Sequence, residues 1–298
     1  MLLYWPYLVA DYIRVVEYVA ATVAVVILIS SLDDLLVDAW YWGRLIYRRI
    51  VVEPYIRPLT ATALYQKDEQ PIAIMVPAWH ESDVIAAMIE NAVSTLDYRR
   101  YMIFVGTYPN DPDTITEVER MRRRYKQLVR VEVPHPGPTN KADCLNAVVQ
   151  AIFQHEKMTG VQFAGAILHD SEDVLHPLEL RFFNYLLPRK DLIQIPVVSL
   201  ERHWSELVAG IYMDEFAEWH AKDLIVRESV AGAVPSAGVG TCFSHAALDK
   251  LRGDGTGDVF NTSSLTEDYD ISNRLAQEHM HCIIARFPVE YRVRRRTI

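Results

Sequence analysis

Short apolar runs, each followed by polar residues and a helical pattern, constrain the possible folds of this chain more than any other feature. Five such runs occur: Ile72–Val76, Tyr101–Gly106, Val129–Val133, Ala164–Leu168 and Leu192–Val198. Between them, apolar residues recur at helical spacing, which predicts helices over Ser82–Leu96, Asp113–Tyr125 and Lys141–Phe153, and a further helix from Pro177. Mostly continuous apolar strands alternating with helices predict an α/β fold with a mostly parallel, two-sided sheet.

In such a sheet, ligands bind beyond the carboxyl ends of the strands, so the strand-to-helix turns carry the functional information. The first of these turns reads PAWHE, and no G-x-G-x-x-G opens the following helix. The chain also lacks G-x-x-x-x-G-K-[ST]. These absences argue against a nicotinamide dehydrogenase and a P-loop NTPase.

Charge and cysteine content exclude further classes of protein. With 30 Lys and Arg against 39 Asp and Glu, the net charge of −9 argues against nucleic acid as a partner. The 3 cysteines are far apart in the sequence, without zinc-ligand spacing or a disulfide framework. This usage fits a reducing compartment.

The N-terminal region carries the apolar excess of the chain. The segment Tyr18–Leu32 has no charge over about 15 residues, whereas a bilayer-spanning helix needs about 20. Extension back to Leu8 supplies that length, and we expect a transmembrane helix within residues 1–32. A signal peptide and a buried core helix remain alternatives. Several arginines follow the segment, which places the body of the chain in the cytosol by the positive-inside rule.

Residues 33–70 predict an amphipathic interface helix and a linker. Trp40, Tyr41 and Trp42 lie beside arginines, as in helices that rest in the membrane interface. A helix packed on the following domain is the alternative. Pro54 and Pro58 end the helical pattern. We expect residues 71–298 to form the α/β domain.

Two acidic clusters are candidates for chemistry. Asp170, Glu172 and Asp173 follow the fourth apolar run, where three carboxylates would repel one another unless a hard cation such as Mg²⁺ or Mn²⁺ holds them. A solvated turn that caps the next helix is the alternative. In the second cluster, Thr266 is a candidate N-cap for a helix, and a neighbouring carboxylate is a candidate general base. The small residues from Gly232 to Thr241 suit close approach by a sugar, or an ordinary turn.

Taken together, these motifs resemble glycosyltransferase family 2, in particular its membrane-bound, processive branch that includes cellulose and chitin synthases. The resemblance rests on P-x-x-x-E at Pro77–Glu81, K-A-x-x-L-N at Lys141–Asn146, D-x-E at Asp170–Glu172, G-x-G-T at Gly238–Thr241 and T-E-D at Thr266–Asp268. It covers nearly the whole chain. It implies a GT-A fold, meaning the Rossmann-like sheet of nucleotide-diphospho-sugar transferases.

The resemblance also implies roles for individual residues. Those expected to contact the nucleotide-sugar are Pro77, Ala78, Glu81, Asn110, Asp111, Asp113 and Lys141, the last beside the diphosphate. The metal, Mg²⁺ or Mn²⁺, would be bound by Asp170 and Glu172, with Asp173 sharing the ligation; the family usually has Asp at the second place. Asp268 would be the base of an inverting transfer, with Thr266 and Glu267 completing its motif. Gly238, Gly240 and Thr241 would line the acceptor end.

The implied partners are a nucleotide-diphospho-sugar, expected to be a UDP-sugar, a growing glycan acceptor, inner-membrane lipid and an outer-membrane export or receptor partner. The implied location is the bacterial inner membrane with a cytoplasmic catalytic domain. Processive members continue to Q-x-x-R-W, whereas this sequence ends in RVRRRTI about 30 residues after T-E-D. We therefore expect a truncated form.

Two alternative functions remain open on the sequence alone. One is a membrane-anchored nucleotide-sugar-binding or receptor-assembly component without turnover. The other is a phosphohydrolase using His169, Asp170 and His176.

Overall fold

The computed structural model describes residues 5–200, 203–253 and 257–289. The C-terminal RVRRRTI segment, on which the expectation of truncation rested, lies outside these residues. The chain divides into two units, Met1–Pro58 and Leu59–Ile298. The unit boundary therefore falls inside the predicted linker.

The first unit is dominated by one long helix, α1, over Trp5–Tyr47. A π-helical turn, Arg48–Val52, and a 3₁₀ turn, Glu53–Tyr55, follow it. The predicted transmembrane and interface helices are thus continuous, because no proline interrupts the pattern before Pro54. Among the described residues, Tyr7–Tyr55 is the one helical stretch long and apolar enough to cross a membrane.

The second unit contains a seven-stranded sheet with the strand order β3-β2-β1-β4-β6-β5-β7. Its strands are β1 Ile72–Ala78, β2 Tyr101–Thr107, β3 Leu128–Glu132, β4 Gly165–Leu168, β5 Leu192–Gln194, β6 Thr241–Ser244 and β7 Cys282–Ile284. Only β6 runs antiparallel to its neighbours, β4 and β5. The predicted mostly parallel sheet is confirmed, while β6 and β7 were not predicted because each is too short to form a recognisable apolar run.

The helices of this unit are α2 Ala61–Tyr65, α3 Ile85–Thr95, α4 Pro112–Arg124, α5 Lys141–Thr159, α6 Glu179–Leu186, α7 Leu207–Glu218, α8 Leu224–Ala231, α9 His245–Arg252 and α10 Glu267–Gln277. The starts of two predicted helices differ from expectation. Asp111 caps α4 by accepting the Thr114 N–H at 3.3 Å, two residues before the predicted first residue, Asp113. Thr266 occupies the N-cap position of α10, but its side chain makes no capping hydrogen bond.

The strand order reverses between β1 and β4, which defines where a ligand binds. From β1 the chain proceeds outward through β2 and β3, and it then returns to place β4 on the other side of β1. Both central strands are buried, with Ile74 and Ile167 fully inaccessible. The carboxyl ends of β1 and β4 therefore open into the crevice at a topological switch point, where doubly wound sheets bind their ligands.

Candidate active site

Lys141, the first residue of α5, brings three distant segments together at this crevice. Its Nζ donates to Asp170 Oδ1 at 2.5 Å and to the Gly238 carbonyl at 3.1 Å. Asn140 begins the helix here because its side-chain oxygen accepts the Asp143 N–H at 2.9 Å. The helix start, the acidic loop after β4 and the glycine segment before β6 thus meet on one ammonium group.

Asp268 belongs to the same cluster. A Cβ added at Gly238 would lie 3.2 Å from Asp268 Oδ2 and 3.7 Å from Lys141 Nζ. Gly238 also has a left-handed backbone, with φ +74. An alanine Cβ at this position would press on the Asp268 carboxylate, which would have to shift by a few tenths of an ångström. The bare backbone at Gly238 therefore lets Asp268 lie against the glycine segment whose carbonyl also binds Lys141.

The three carboxylates of the acidic loop after β4, those of Asp170, Glu172 and Asp173, make different contacts. Asp173 Oδ2 accepts the Asp170 N–H at 3.0 Å and lies 2.9 Å from His169 Nδ1. Asp173 therefore folds back onto its own loop, and its expected share in binding a metal stays a prediction. Glu172 is exposed, and Asp170 faces Lys141.

His169 is buried between two carboxylates. Its Nε2 lies 2.6 Å from Glu179 Oε1, opposite the contact between Nδ1 and Asp173. Burial by itself lowers the pKa of His169, but the charges and hydrogen bonds of Glu179 and Asp173 outweigh it and raise the pKa to about 10. Because both ring nitrogens are hydrogen-bonded to carboxylates, this imidazole is not free to bind a metal. This arrangement argues against the phosphohydrolase hypothesis.

Glu81 adds a further carboxylate to the crevice. Burial raises its pKa, and the negative charges of Glu172, Asp170 and Asp111 raise it further. Its backbone N–H donates to Thr114 Oγ1 at 3.0 Å. Crowded carboxylates of this kind form an oxygen donor set that favours a divalent cation. Within the described ranges, however, no group of three or more His, Cys, Asp or Glu side chains is already assembled around one point.

The loop after β2, expected to face the nucleoside, is largely committed to internal contacts. Asp111 is 1% exposed and accepts the His80 N–H at 2.7 Å. Burial raises the pKa of Asp111, but its hydrogen bonds from Thr114 and His80 outweigh this and hold the pKa below its ordinary value. Asn110 exchanges two hydrogen bonds with the Gly137 backbone, at 2.7 and 2.8 Å. Both residues shape the loop, and their expected contact with the nucleotide stays a prediction.

The remaining residues expected to contact the nucleotide are Asp113, Ala78 and Pro77. Asp113 is exposed in the first turn of α4. Ala78 is buried at the end of β1, and the Pro77 carbonyl accepts the Ser171 hydroxyl at 3.1 Å. This last contact joins the end of β1 to the acidic loop.

The glycine segment before β6 is organised by Gln194, whose importance was not recognised in the sequence. The carboxamide of this fully buried residue accepts from the Ala237 N–H at 2.8 Å and donates to the Val239 carbonyl at 2.9 Å. It also accepts the Thr241 hydroxyl at 2.6 Å. Thr241 is inaccessible in this structure, and its expected place at the acceptor end stays a prediction. A polar residue inside the apolar run Leu192–Val198 was the available signal.

Comparison with known proteins identifies the family. The family described as "Glycosyltransferase like family 2" matches residues 70–297. The chain belongs to the family-2 glycosyltransferases. It is 52% identical over 280 residues to bacteriophage adsorption protein B of Escherichia coli K12. Bacteriophage N4 adsorption protein B of Escherichia coli O157:H7 gives the same values. The match covers 94% of this chain but 38% of each relative.

A mannosyltransferase from Pyrobaculum calidifontis, solved with GDP-Man and Mn²⁺, has a similar structure. The TM-score is 0.53 at 18% identity, over 84% of this chain and 65% of that one. The fold is therefore of the GT-A type, as the resemblance implied.

Gly238→Ala and Gly160→Ala form a matched pair that tests the geometry of the site. Both glycines are left-handed, with φ +74 and +71, so each alanine should cost about 1–2 kcal/mol of stability. Only at Gly238 does the new Cβ meet other atoms, since nothing lies within 4 Å of Gly160. Calorimetry should show weaker binding of UDP with Mn²⁺ for Gly238→Ala alone. Equal affinity of both variants for UDP with Mn²⁺ would contradict a binding site built around Gly238.

Proposed function

We propose that this chain is a membrane-anchored, metal-dependent, inverting glycosyltransferase. It would move a sugar from a nucleotide diphosphate, with UDP as the expected nucleotide, to a growing glycan. One observation carries the proposal: Lys141, Asp170, Gly238 and Asp268 come from four separate segments and meet at the switch point of the sheet. Such a cluster would supply the Lys141 ammonium group, a metal-binding carboxylate at Asp170, bare backbone at Gly238 and a base at Asp268 within one crevice.

The donor set fits a hard divalent cation. Asp170 and Glu172 offer carboxylate oxygens at the end of a buried strand, and burial, followed by the negative charges of Glu172, Asp170 and Asp111, raises the pKa of the neighbouring Glu81. We assign Asp170 and Glu172 to the metal, which would be Mg²⁺ or Mn²⁺. When bound, the cation would neutralise charge on the diphosphate leaving group, which also supplies part of its coordination.

Lys141 provides the fixed positive charge of the site. Its ammonium group is held by Asp170 and the Gly238 carbonyl, and its side chain is 29% exposed. A compact, flexible ammonium suits a diphosphate. Lys141 therefore neutralises Asp170 and would turn to the diphosphate when donor and metal enter together.

Asp268 is the proposed general base. It lies in the first turn of α10, where the free N–H groups and the helix dipole favour a carboxylate. Its Oδ1 accepts the Tyr269 N–H at 2.9 Å, and its Oδ2 faces Gly238. Proton removal from an acceptor hydroxyl on this side, opposite the diphosphate, gives inversion at the anomeric carbon. Such general-base help typically contributes about 10²–10⁴-fold in rate.

The first unit supports a membrane location for the proposed reaction. Helix α1 would be about 65 Å long at 1.5 Å per residue, more than twice the hydrocarbon thickness of about 30 Å. We propose that the N-terminal part of α1, within the predicted range 1–32, spans the inner membrane and that residues 33–70 connect it to a cytoplasmic catalytic domain. The glycan would be an exopolysaccharide or phage-receptor glycan, passed to an outer-membrane partner.

Asp170→Asn and Asp268→Asn should separate donor binding from catalysis. Asp170→Asn removes a metal ligand, so the Mn²⁺-dependent part of UDP binding should disappear. Asp268→Asn keeps shape but not basicity, so binding should stay near the parent value while UDP release from UDP-sugars with glycan acceptors falls about 10²–10⁴-fold. Calorimetry and a coupled UDP assay measure these quantities. Parental turnover in Asp268→Asn contradicts the base, whereas UDP binding without any turnover by the unsubstituted chain supports the assembly role.

Lys141→Met should affect Mn²⁺ and UDP in opposite directions. Removing the ammonium group frees Asp170, so Mn²⁺ alone should bind more tightly, while UDP with Mn²⁺ should bind more weakly. Lys250→Met is the matched control, because Lys250 pairs with Glu278 at 3.0 Å on the surface. Electron paramagnetic resonance of free Mn²⁺ gives both affinities. Weaker binding of Mn²⁺ alone would show that Lys141 does not compete with the metal.

Deletion of residues 1–58 tests the anchor. The full chain should sediment with membranes and need detergent for release, because the apolar face of α1 is exposed along its length. The remaining unit should stay in the supernatant with an unchanged circular dichroism spectrum. Membrane association of the deleted chain would place the anchor elsewhere.

A further inference from the structure

His169 is a buried side chain to which the proposed chemistry gives no task. It follows β4, stands directly before Asp170 and is 4% exposed. Its two nitrogens lie 2.9 Å from Asp173 Oδ2 and 2.6 Å from Glu179 Oε1. Since both partners are carboxylates, the ring donates a hydrogen bond from each nitrogen. His169 therefore joins two acidic residues from different elements.

The Glu179 end of this bridge is firmly fixed. Glu179 is the first residue of α6, and it is 7% exposed. The segment before β1 fastens this helix: Lys67 Nζ donates to the Asn184 carbonyl at 2.6 Å, and Gln70 Nε2 donates to Asn184 Oδ1 at 2.8 Å. A residue tied to α6 is thus held relative to the body of the unit.

The Asp173 end controls the acidic loop. Asp173 Oδ2 is shared between His169 and the Asp170 N–H, and the Asp173 N–H donates to the Asp170 carbonyl at 3.2 Å. The backbone of Asp170 is therefore bonded on both sides to the residue that His169 holds. Any rotation of the loop that moves Asp170 or Glu172 must break one of these contacts.

Stability alone does not account for such an arrangement. A buried ionic cluster is costly to desolvate, and apolar side chains of the same volume often stabilise a protein as well or better. What the cluster provides is a single orientation, because the His169 ring is held between two carboxylates and Asp173 also accepts the Asp170 N–H. Groups that hydrogen-bond to metal ligands and orient them in this way typically change metal affinity or activity by about 10–100-fold.

We propose that His169, bridging Glu179 and Asp173, is a positioning residue that sets the orientation of Asp170 and Glu172 toward the metal and diphosphate. This inference rests on the proposed function. It assigns the loop histidine a role through Asp173, without contact to the substrate.

The test compares His169→Gln and Glu179→Gln with His245→Gln in the full chain. His245 is a matched control, because it pairs with Glu156 at 3.1 Å near Gly165, the first residue of β4, whereas His169 follows the last residue of that strand. Affinity for Mn²⁺ in saturating UDP is measured by electron paramagnetic resonance, and thermal unfolding is followed in parallel. His169→Gln should weaken Mn²⁺ binding about 10–100-fold, Glu179→Gln should act in the same direction, and His245→Gln should leave the affinity unchanged.

Parental Mn²⁺ affinity in folded His169→Gln overturns the inference. If that variant does not fold, parental affinity in the isosteric Glu179→Gln does so. An equal loss of Mn²⁺ affinity in His245→Gln also overturns the inference, because the loss then reflects a general decrease in stability. Absence of Mn²⁺ binding by the parent chain is a different result, because it removes the proposed metal dependence itself.

Discussion

The ion pair between Lys141 and Asp170 is the contact on which the rest of the crevice depends. Lys141 begins α5, where the positive end of the helix dipole makes an ammonium group unfavourable. Asp170 follows a buried strand among other carboxylates, where a lone negative charge is equally unfavourable. Because Lys141 Nζ and Asp170 Oδ1 lie 2.5 Å apart, each charge offsets the unfavourable electrostatic energy of the other. Because the Gly238 carbonyl shares the ammonium group, the pair also fixes the glycine segment beside Asp268.

The proposed function gives this ion pair a second role. If Asp170 is a ligand of the proposed metal, the cation and the ammonium group would compete for the same carboxylate, and a metal arriving alone would have to displace Lys141. A metal arriving with a diphosphate would offer Lys141 a new anionic partner at the same time. The proposal therefore implies joint entry of metal and donor.

The sheet could be predicted from the sequence because its central strands are buried on both faces and therefore appear as apolar runs. The convergence of Lys141, Asp170 and Asp268 followed from the family resemblance and from the rule that ligands bind at the strand ends. The directions of individual side chains in the loops could not be predicted. Asp173 bonds to its own loop, and Thr241 faces Gln194, because tertiary contacts rather than sequence spacing orient them.

Other features left weak signals or none in the sequence. Gln194 interrupts an apolar run, and a buried polar residue there must find partners. The bridge from His169 to Glu179 spans ten positions and two elements, so no local pattern reveals it. The continuity of α1 was missed because its middle changes from apolar to amphipathic without any residue that ends a helix.

The most direct measurement of the central claim is the anomalous diffraction signal of Mn²⁺ in crystals of this chain grown with UDP. The account predicts one strong peak coordinated by Asp170, Glu172 and the diphosphate, with the Lys141 ammonium group moved from Asp170 onto a phosphate oxygen. A peak away from the acidic loop, or bound UDP with the Lys141–Asp170 pair still intact, would contradict it.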